Sequence, residues 1–593
     1  MDDFQTPYFF FETGKIDEEN FLSYYFINPR DILRLDDPKD MERFFRELEQ
    51  ISKKYYTAGF FSYELGYVLE NSLAEKRPRS DFPLAYFGVY EEPVIFHEKK
   101  KEFIKGNIKL PQGKESYRIE HLKLNMNKEE YLNNLQKVRE YIYQGDIYQL
   151  NYTVKYKFDV HGSSWDLYRA VKQNQPVPYH VFAGFDDYHI LSSSPELFFH
   201  KEKESIMVRP MKGTAPRGRT LQEDRLLEEY LRNDKKNRSE NVMIVDLLRN
   251  DLGKISGTGS VDVTGLYQIE KYNTLFQMTS TIRSELKKDV NISSLIRSIF
   301  PSGSITGAPK IRSMELIREL EPEARKIYTG SLGFFAPSGF AHFNVAIRTI
   351  LLHHDQAELG IGSGIVYDSV PEKEYDETLL KSAFITARPK EEFRLVETML
   401  RQEKYRNLDL HMERFRDTAA YFNFPFNEKK VRSELERTAL SPDNTPCKVR
   451  ILLDREGKIS IEVHTLEILP ETLSLFLSKK KVSSQDIHLF HKTTCRGIFK
   501  TELEQARPKG FFDVLFLNEK DELTQGARTN VYIRQAGVLY TPPLSCGVLN
   551  GIMRRILLEK GEVKEKTLYA HDLFSAEEIF ISNAIIGLRK ADL

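Results

Sequence analysis

Three glutamates in two predicted helices are of a type and spacing that suit a metal site. Glu374 and Glu377 lie three residues apart after Pro371, which favours the first turn of a helix, so they share one helix face. Glu240 is predicted to open a second amphipathic helix. Its apolar side is predicted to be Val242, Met243, Val245 and Leu247. Carboxylates that converge from separate helices suit Mg²⁺, a hard cation with oxygen ligands, whereas solvated surface glutamates are the alternative.

A second group of residues is suited to binding carboxylates. Arg348 offers a planar fork for bidentate pairing, and Gly362 and Gly364 let backbone N–H groups approach a bound oxygen closely. Taken alone, Gly362-Ser363-Gly364 is also typical of a simple turn.

Short glycine-rich and charged strings follow one another along the first two thirds of the chain. They are GDIYQ (145–149), SSPE (193–196), RPMKGT (209–214), ENVMIVD (240–246), GSITGAPK (303–310), IRT (347–349) and GSG (362–364). Together they closely resemble the chorismate-utilising family of anthranilate synthase and aminodeoxychorismate synthase component I, over about residues 50 to 388. The resemblance implies that Glu240 and Glu377 hold Mg²⁺, with Glu374 nearby. It implies a substrate site for chorismate made of Ser304, Tyr328, Arg348, Gly362, Gly364 and Lys381.

Lys212 distinguishes between two branches of that family. The aminodeoxychorismate branch carries lysine in this motif and the anthranilate branch carries alanine, and the chain reads Pro210-Met211-Lys212-Gly213-Thr214. A neutral, desolvated lysine is a nucleophile. The resemblance implies that Lys212 adds to the ring at C2 as the C4 hydroxyl leaves, and that ammonia then enters at C4 and expels the lysine. Glu196 matches the family's general acid and base, for which a raised pKa is needed.

One position departs from the pattern of this family. Many relatives have His in a helix where this chain reads Phe276-Gln277-Met278. Because Gln277 cannot donate a proton as an imidazolium does, we expect no acid–base role there.

The nitrogen donor is expected to come from another protein. Cys447, Cys495 and Cys546 lie in no Gly-x-Cys-x-Gly elbow, so the chain contains no recognisable glutaminase. The resemblance implies a separate glutamine amidotransferase subunit that passes ammonia to this chain.

The last third of the chain contains a second series of strings. They are VET (396–398), LHMERF (410–415), HKTT (491–494), LTQGARTN (523–530), TPP (541–543) and GVLNGIMR (547–554). Residues 393 to 593 thus resemble the class IV aminotransferase family, which includes 4-amino-4-deoxychorismate lyase. The resemblance implies pyridoxal 5'-phosphate as cofactor, held covalently by Lys492, with Thr398 placed to position the leaving group. The other implied cofactor-binding residues are Arg414, Gln525, Ile552, Met553 and Asn583.

Gln525 departs from the pattern of the second family, which usually has glutamate against the pyridine nitrogen. An amide shares a hydrogen bond but does not keep that nitrogen protonated, so the cofactor should be a weaker electron sink. Transaminase activity is therefore less expected than a lyase reaction whose product gains aromaticity.

Two modules of mixed helix and strand must position these residues. We predict an α+β fold with residues 1–388 as a chorismate-utilising β-sandwich module. Residues 389–593 are predicted to form a type IV pyridoxal-phosphate fold with two α/β subdomains, through which the family resemblance implies a homodimer. A helix is predicted from Glu129 to Tyr143 and a strand from Phe393 to Met399.

Composition and hydropathy give no sign of a nucleic-acid or membrane partner, and we expect a cytoplasmic protein. The net charge of −1 shows no bias towards nucleic acid, and no apolar run approaches the roughly 18 residues that a membrane span requires. The two halves support each other, because the product implied for the first is the substrate implied for the second. Chorismate and ammonia would give 4-amino-4-deoxychorismate, and loss of pyruvate would give 4-aminobenzoate for folate biosynthesis.

Two alternatives remain at the level of sequence. One is an anthranilate synthase component fused to an aminotransferase of another purpose, against which Lys212 argues. The other is a synthase whose C-terminal half has lost its chemistry, to which Gln525 lends weight.

Overall fold

The computed structural model describes residues 4–111, 116–382, 384–385, 392–438 and 445–593. These residues form two compact units. Unit 1 is Met1–Pro216 with Glu228–Lys390, and unit 2 is Arg217–Leu227 with Glu391–Leu593. The predicted module limit at 388/389 lies outside the described residues and stays a prediction. That Arg217–Leu227 belongs to unit 2 was not predicted.

Unit 1 is built from strands that form two large antiparallel sheets. The strands are β1 (Tyr8–Glu12), β2 (Leu22–Phe26), β3 (Asp31–Leu35), β4 (Tyr56–Phe61), β5 (Ala85–Tyr90), β6 (Val94–His97), β7 (Glu102–Lys105), β8 (Tyr117–Leu124), β9 (Gln149–Gly162), β10 (Tyr179–Phe185), β11 (Tyr188–Ser194), β12 (Leu197–Glu202), β13 (Ser205–Arg209), β14 (Met211–Pro216), β15 (Asp262–Lys271), β16 (Leu275–Glu285), β17 (Gly307–Ala308), β18 (Ser331–Phe335), β19 (Ala341–Val345), β20 (Thr349–His353) and β21 (Gln356–Ile365). One sheet has the order β17-β9-β21-β20-β11-β10-β1-β2-β6-β7, with β8 beside β9. The other has the order β14-β16-β13-β12-β19-β18-β4-β5-β3, with β15 beside β16.

The two sheets of unit 1 face each other across an aromatic core. Phe60 of one sheet packs on Phe185 of the other, with ring centroids 5.0 Å apart, and both side chains are fully buried. Offset and tilted aromatic pairs of this kind stabilise a core beyond their buried area alone. The predicted β-sandwich is confirmed.

Helices flank the sheets and carry several of the predicted site residues. Up to residue 382 they are α1 (Met41–Ser52), α2 (Leu65–Leu69), α3 (Lys128–Tyr143), α4 (Ser164–Asn174), α5 (Leu221–Asn233), α6 (Lys235–Gly253), α7 (Ile292–Ile299), α8 (Lys310–Leu320) and α9 (Pro371–Ser382). The helices predicted after Glu129 and from Pro371 are confirmed as α3 and α9. The prediction that Glu240 opens a helix is wrong, because α6 begins five residues earlier, where the side chain of Asp234 accepts a hydrogen bond from Asn237 N.

Unit 2 contains a small sheet and a large mixed sheet. The strands are β22 (Leu395–Arg401), β23 (Cys447–Leu453), β24 (Ile459–Thr465), β25 (Leu473–Val482), β26 (Asp513–Asn518), β27 (Leu523–Gly526), β28 (Asn530–Gln535), β29 (Val538–Thr541), β30 (Lys564–Glu565), β31 (Glu578–Asn583) and β32 (Gly587–Asp592). The first three form one sheet, and the rest have the order β27-β26-β25-β32-β31-β28-β29-β30. The helices are α10 (Leu408–Phe422), α11 (Glu428–Arg437), α12 (Gly497–Ala506), α13 (Ile552–Glu559) and α14 (Ala570–Phe574).

Each sheet of unit 2 has its own core. Met412 and Phe415 of α10 and Val431 of α11 pack with the three-stranded sheet, whereas Leu515, Val531 and Ile581 belong to the core of the larger one. The three-stranded sheet and the larger sheet thus have separate clusters of buried side chains, in agreement with two subdomains. Among the described residues, no helix has the length and apolarity to cross a membrane.

Candidate active sites

Lys212 lies on β14, an edge strand of unit 1, with its side chain largely buried. Its Nζ is 3.8 Å from Glu240 Oε2 of α6. A methyl group added at Gly364 of β21 would collide with this Nζ, so the amine rests directly on the glycine. Burial lowers the pKa of Lys212, an effect that the charge of Glu240 opposes. The amine is therefore closer to its neutral, nucleophilic form than a solvated lysine.

Glu196 stands beside Lys212 in the short link between β11 and β12. Ser304 Oγ donates a hydrogen bond of 2.6 Å to Glu196 Oε1, and the backbone N–H of Met211 also donates to this carboxylate. The side chain is buried, and burial raises its pKa to about 7, although these bonds and the charge of Lys212 oppose the rise. Glu196 can hold or release a proton near neutral pH, as an acid–base group must.

The three predicted metal-binding carboxylates influence one another. Burial raises the pKa of Glu240, and the charges of Glu374 and Glu377 raise it further. Burial opposes ionisation of Glu377, but Lys381, at 2.8 Å, holds its pKa below the usual value. Ser369 Oγ donates to Glu374 Oε1 at 2.8 Å. Carboxylate oxygens are the ligands that Mg²⁺ prefers, so the residue types suit the ion, but in the described part of the chain the carboxylates of Glu240, Glu374 and Glu377 do not all lie within 4.8 Å of one another.

The predicted substrate residues divide into two sets. Ser304 and Gly364 contact Glu196 and Lys212, as described above, and Lys381 Nζ donates to the carbonyl of Gly362 at 3.0 Å. Within the described ranges, neither Tyr328 nor Arg348 hydrogen-bonds to Lys212 or Glu196. The ring of Tyr328 would collide with a methyl group at Gly360 of β21, and Arg348 Nη1 donates to Gln175 Oε1 at 2.6 Å. Gly362 and Gly364 lie inside β21, not in a turn.

Gln149 is a site residue that the sequence analysis did not single out. It starts β9 and is fully buried, and neither atom of its amide has a hydrogen-bond partner in the described part of the chain. A methyl group at Gly364 would lie 2.9 Å from Gln149 Nε2, so this amide and the Lys212 amine border the same glycine. A buried amide without a partner is costly, which points to a ligand group as its partner. The available indication was the GDIYQ string, which ends at Gln149.

Gln277 lies in β16, so the helix expected around it is wrong. Strand β16 pairs with β13, β14 and β15, and Gln277 lies opposite Thr214 of β14. Gln277 Nε2 donates to the carbonyl of Gly213 at 2.9 Å, and its Oε1 accepts from Thr214 Oγ1 at 3.0 Å. Gln277 therefore fixes the backbone next to Lys212. Asn241, also overlooked, donates from Nδ2 to the carbonyl of Lys212 at 3.4 Å.

The second candidate site is a cavity of about 560 Å³ in unit 2. It is lined by Lys492 together with Thr398, Arg414, Gln525, Ile552 and Asn583, whereas Met553 is not among its lining residues. Burial lowers the pKa of Lys492 to about 7, which the nearby Glu397 opposes and Arg414 reinforces. Its amine is thus available both to bond a carbonyl carbon and to carry a proton.

Arg414 is fixed on one wall of this cavity. Its Nε and Nη2 each donate to the buried carboxylate of Glu397 at 2.8 Å, and its Nη1 donates to the carbonyl of Asn550 at 3.3 Å. Burial opposes ionisation of Glu397, yet Arg414 and His411 hold its pKa well below the usual range. The bidentate pair keeps the guanidinium in one orientation.

The start of α13 offers a place for a phosphate group. Gly551 precedes the helix, and a methyl group there would collide with Asn530 Oδ1. Free N–H groups at a helix start bind phosphate oxygens, and the glycine lets them approach closely. Together with Lys492 and Arg414, these residues fit pyridoxal phosphate.

Gln525 is buried and largely engaged by the backbone. Its Oε1 accepts from Leu549 N at 3.1 Å, and its Nε2 donates to the carbonyl of Leu489 at 3.4 Å. The second N–H of the Gln525 amide is left to donate to the pyridine nitrogen of the cofactor. Asn583 makes a local turn, because its Oδ1 accepts from the N–H groups of Ile585 and Ile586.

Comparison with known proteins agrees with this division of the chain. Residues 6–387 match the model of the chorismate binding enzyme family, and residues 394–592 match that of amino-transferase class IV. Anthranilate synthase component 1 of Pseudomonas putida is 40% identical over 43% of this chain and 52% of its own length. Aminodeoxychorismate synthase component 1 of Klebsiella aerogenes is 33% identical over 54% of this chain and 74% of its own.

A solved structure resembles unit 1. Anthranilate synthase component I from Streptococcus pneumoniae has 25% identity and a TM-score of 0.54, covering 63% of this chain and 94% of its own. This chain spans about half the length of the first curated relatives that it matches. Relatives named anthranilate synthase and relatives named aminodeoxychorismate synthase both match. The choice between these two reactions therefore depends on residues of the site. The chain belongs to the chorismate binding enzyme family through residues 6–387, and a class IV amino-transferase domain, of a class that uses pyridoxal phosphate, follows at 394–592.

Proposed function

We propose that the chain makes 4-aminobenzoate from chorismate in two steps. Unit 1 converts chorismate and ammonia to 4-amino-4-deoxychorismate, and unit 2 removes pyruvate from that product. The observation that carries the proposal is the buried Lys212 amine, which lies between the carboxylates of Glu196 and Glu240 and rests on Gly364.

In unit 1, Lys212 acts as the nucleophile and Glu196 acts as the acid. The neutral amine forms a bond to C2 while the C4–O bond breaks, and Glu196 gives its proton to the departing hydroxyl, which leaves as water. Ammonia then bonds to C4, the C2–N bond to Lys212 breaks, and the surplus proton of the incoming nitrogen returns to Glu196. The amide of Gln149 borders the same position and is available to a polar group of the ring or to the ammonia.

Glu240 and Glu377 would hold Mg²⁺, with Glu374 beside them. The ion would neutralise the ring carboxylate of chorismate. Without it, the cluster of carboxylates would repel a dianionic substrate. Ser304, Tyr328, Arg348, Gly362, Gly364 and Lys381 are the proposed contacts for the remaining oxygens of the substrate.

In unit 2, the chain's own residues bind and move a proton. Pyridoxal phosphate, when bound, withdraws electrons from the carbon that carries the amine. Lys492 would take the proton from that ring carbon, the bond between the neighbouring ring carbon and the ether oxygen would break, and the ring would become aromatic. The enolpyruvate that leaves takes up a proton and becomes pyruvate. Thr398 borders the cavity and would orient the leaving group. Arg414, Gln525, Ile552, Met553 and Asn583 would hold the cofactor.

The proposal includes a partner and a location. A separate glutamine amidotransferase would supply ammonia, and unit 2 would form a homodimer. The three cysteines are free thiols, which supports a reducing, cytoplasmic setting.

Product identification tests the proposal. Purified protein with pyridoxal phosphate, chorismate, Mg²⁺ and ammonium should form 4-aminobenzoate, detected by chromatography. Lys212→Ala should abolish formation of 4-amino-4-deoxychorismate, whereas Lys492→Ala should let it accumulate and should lose the visible absorbance of the bound cofactor. Formation of anthranilate by the parent protein would contradict the assignment of unit 1. Consumption of chorismate with 4-aminobenzoate only after addition of a separate lyase would contradict that of unit 2.

A further inference from the structure

The cavity of unit 2 carries far more positive charge than a phosphate needs. Of its described lining side chains, eight are Lys or Arg, and one, Glu467, is acidic. Arg414 and Lys492 are accounted for by the cofactor, and Arg450 pairs with Glu462 at 3.1 Å. Five have neither assignment, and among these five Arg496 and Arg528 are the two with a buried Nε atom that lacks a hydrogen-bond partner in the described ranges.

Both of these guanidinium groups pack against aromatic rings. The Cζ of Arg496 lies 4.5 Å from the ring centroid of Phe499, and that of Arg528 lies 4.0 Å from the centroid of Phe512. Arg528 Nη2 also donates to the carbonyl of Phe512 at 2.7 Å. Stacking on a ring leaves the donor edge of a guanidinium free for a planar anion.

Both groups also lack ionic partners. Their Nε atoms are buried and have no hydrogen-bond partner, and neither side chain forms an ion pair within 4.0 Å in the ranges that the structure describes. Asp513 is the nearby carboxylate, but it already accepts hydrogen bonds from Thr529 Oγ1 at 2.6 Å and from Arg528 N at 3.2 Å. Burial lowers the pKa of both arginines, because their charges are poorly solvated. A partly buried charge without an ionic partner loses hydration that nothing replaces, so an anionic ligand would stabilise both groups.

We propose that Arg496 and Arg528 bind a carboxylate of the amine substrate of unit 2, and so select amines with a second carboxylate. The phosphate site at Gly551 and Ile552 is made by other elements, and these arginines are on the links that precede α12 and β28. The inference rests on the proposed function, since 4-amino-4-deoxychorismate carries two carboxylates.

Spectroscopy of the bound cofactor tests this selectivity independently of turnover. Its absorbance reports on unit 2 alone, so ligand binding in unit 1 does not contribute. The parent protein should bind isophthalate, with two carboxylates, at least about 10-fold more tightly than benzoate, the expected effect of one charged hydrogen-bonding partner. Arg496→Met and Arg528→Met should each reduce that preference to about threefold or less, and Lys at either position should restore it only in part.

Arg507→Met is the matched control, because Arg507 lines the same cavity with an exposed side chain and should keep the preference. An unchanged preference in the Arg496 and Arg528 variants would overturn the proposal, and so would a loss of cofactor affinity, which would assign the arginines to the phosphate. If the preference holds but the parent protein makes no 4-aminobenzoate from 4-amino-4-deoxychorismate, the proposed function fails and the dicarboxylate site stands.

Discussion

Substituting Gly364 by alanine should displace the Lys212 amine while sparing the fold. The glycine has an ordinary backbone conformation inside β21, so alanine introduces no backbone strain, and the N–H group that is proposed to face the substrate is kept. The new methyl carbon would collide with Lys212 Nζ, and an ordinary contact needs 3.4 Å or more. The amine must therefore retreat by roughly 1 Å, a displacement that can lower a rate about 100-fold.

The expected effect on the rate is larger than that on stability. A 100-fold loss corresponds to about 2.7 kcal/mol of activation free energy. The cost to folding should be only about 1 kcal/mol, because the displaced atoms, Lys212 Nζ and Gln149 Nε2, are the ends of flexible side chains. Formation of 4-amino-4-deoxychorismate from chorismate, Mg²⁺ and ammonium measures the rate, and calorimetry measures the stability.

Gly253→Ala provides the matched control in the same unit. A methyl group there meets no atom within 4 Å, at the end of α6, so both rate and stability should stay close to those of the parent. If Gly364→Ala keeps its rate within about threefold of the parent, Lys212 does not act from the observed position and the reasoning about unit 1 is wrong.

Three further predictions concern buried polar groups. Because burial raises the pKa of Glu196 to about 7 and the acid form is the active one, the rate of unit 1 should fall as pH rises through about 7. Glu196→Gln should lower the rate by about 100-fold or more and remove that alkaline decline, and an unchanged pH profile would rule out the acid role. Glu397→Gln should reduce the free energy of unfolding of unit 2 by about 3 kcal/mol, because Arg414 loses a bidentate partner, and a calorimetric midpoint equal to that of the parent would contradict this. Gln525→Glu places a carboxylate oxygen beside the carbonyl of Leu489 and should cost about 1 to 3 kcal/mol, so a variant as stable as the parent would show that the amide hydrogen bond contributes nothing.

Local patterns predicted individual elements well. In α3, Tyr131, Leu135 and Val138 are buried, which is the helical period on which the prediction from Glu129 depended. The strand predicted from Phe393 to Met399 is β22, displaced by two residues. The wrong predictions concern elements in which the spacing of apolar residues is less regular, as in α6.

In α6, the buried face was misjudged along with the helix start. Ile244, Val245 and Leu248 are buried, whereas Val242 and Met243 are only partly so. Several polar residues precede the apolar stretch, and the cap at Asp234 lies among charged neighbours, so local sequence gave little indication of the first turn. Glu240 nevertheless lies in α6 and faces Lys212. The error concerned only where the helix begins, not whether Glu240 is helical.

The candidate sites could be recognised from motifs but not assembled from them. No local pattern indicates that Gly364 contacts the amine of Lys212. The two residues are far apart in sequence and belong to different sheets, so only the fold brings them together. Likewise, the missing partners of Gln149 and Arg496 become visible only when every neighbouring donor and acceptor is known. The roles of the site residues stay predictions until the variants are measured.

The membership of Arg217–Leu227 in unit 2 affects any attempt to dissect the gene. Tyr421 Oη donates to the carbonyl of Gly218 at 2.6 Å, and His491 Nε2, one residue before Lys492, lies 3.1 Å from the carbonyl of Arg219. A fragment that starts near residue 392 would lack this strip and leave the segment next to Lys492 uncovered. Truncation at the junction of the two matched regions would therefore remove part of the scaffold of unit 2, and expression of the whole chain is the sound way to study either unit.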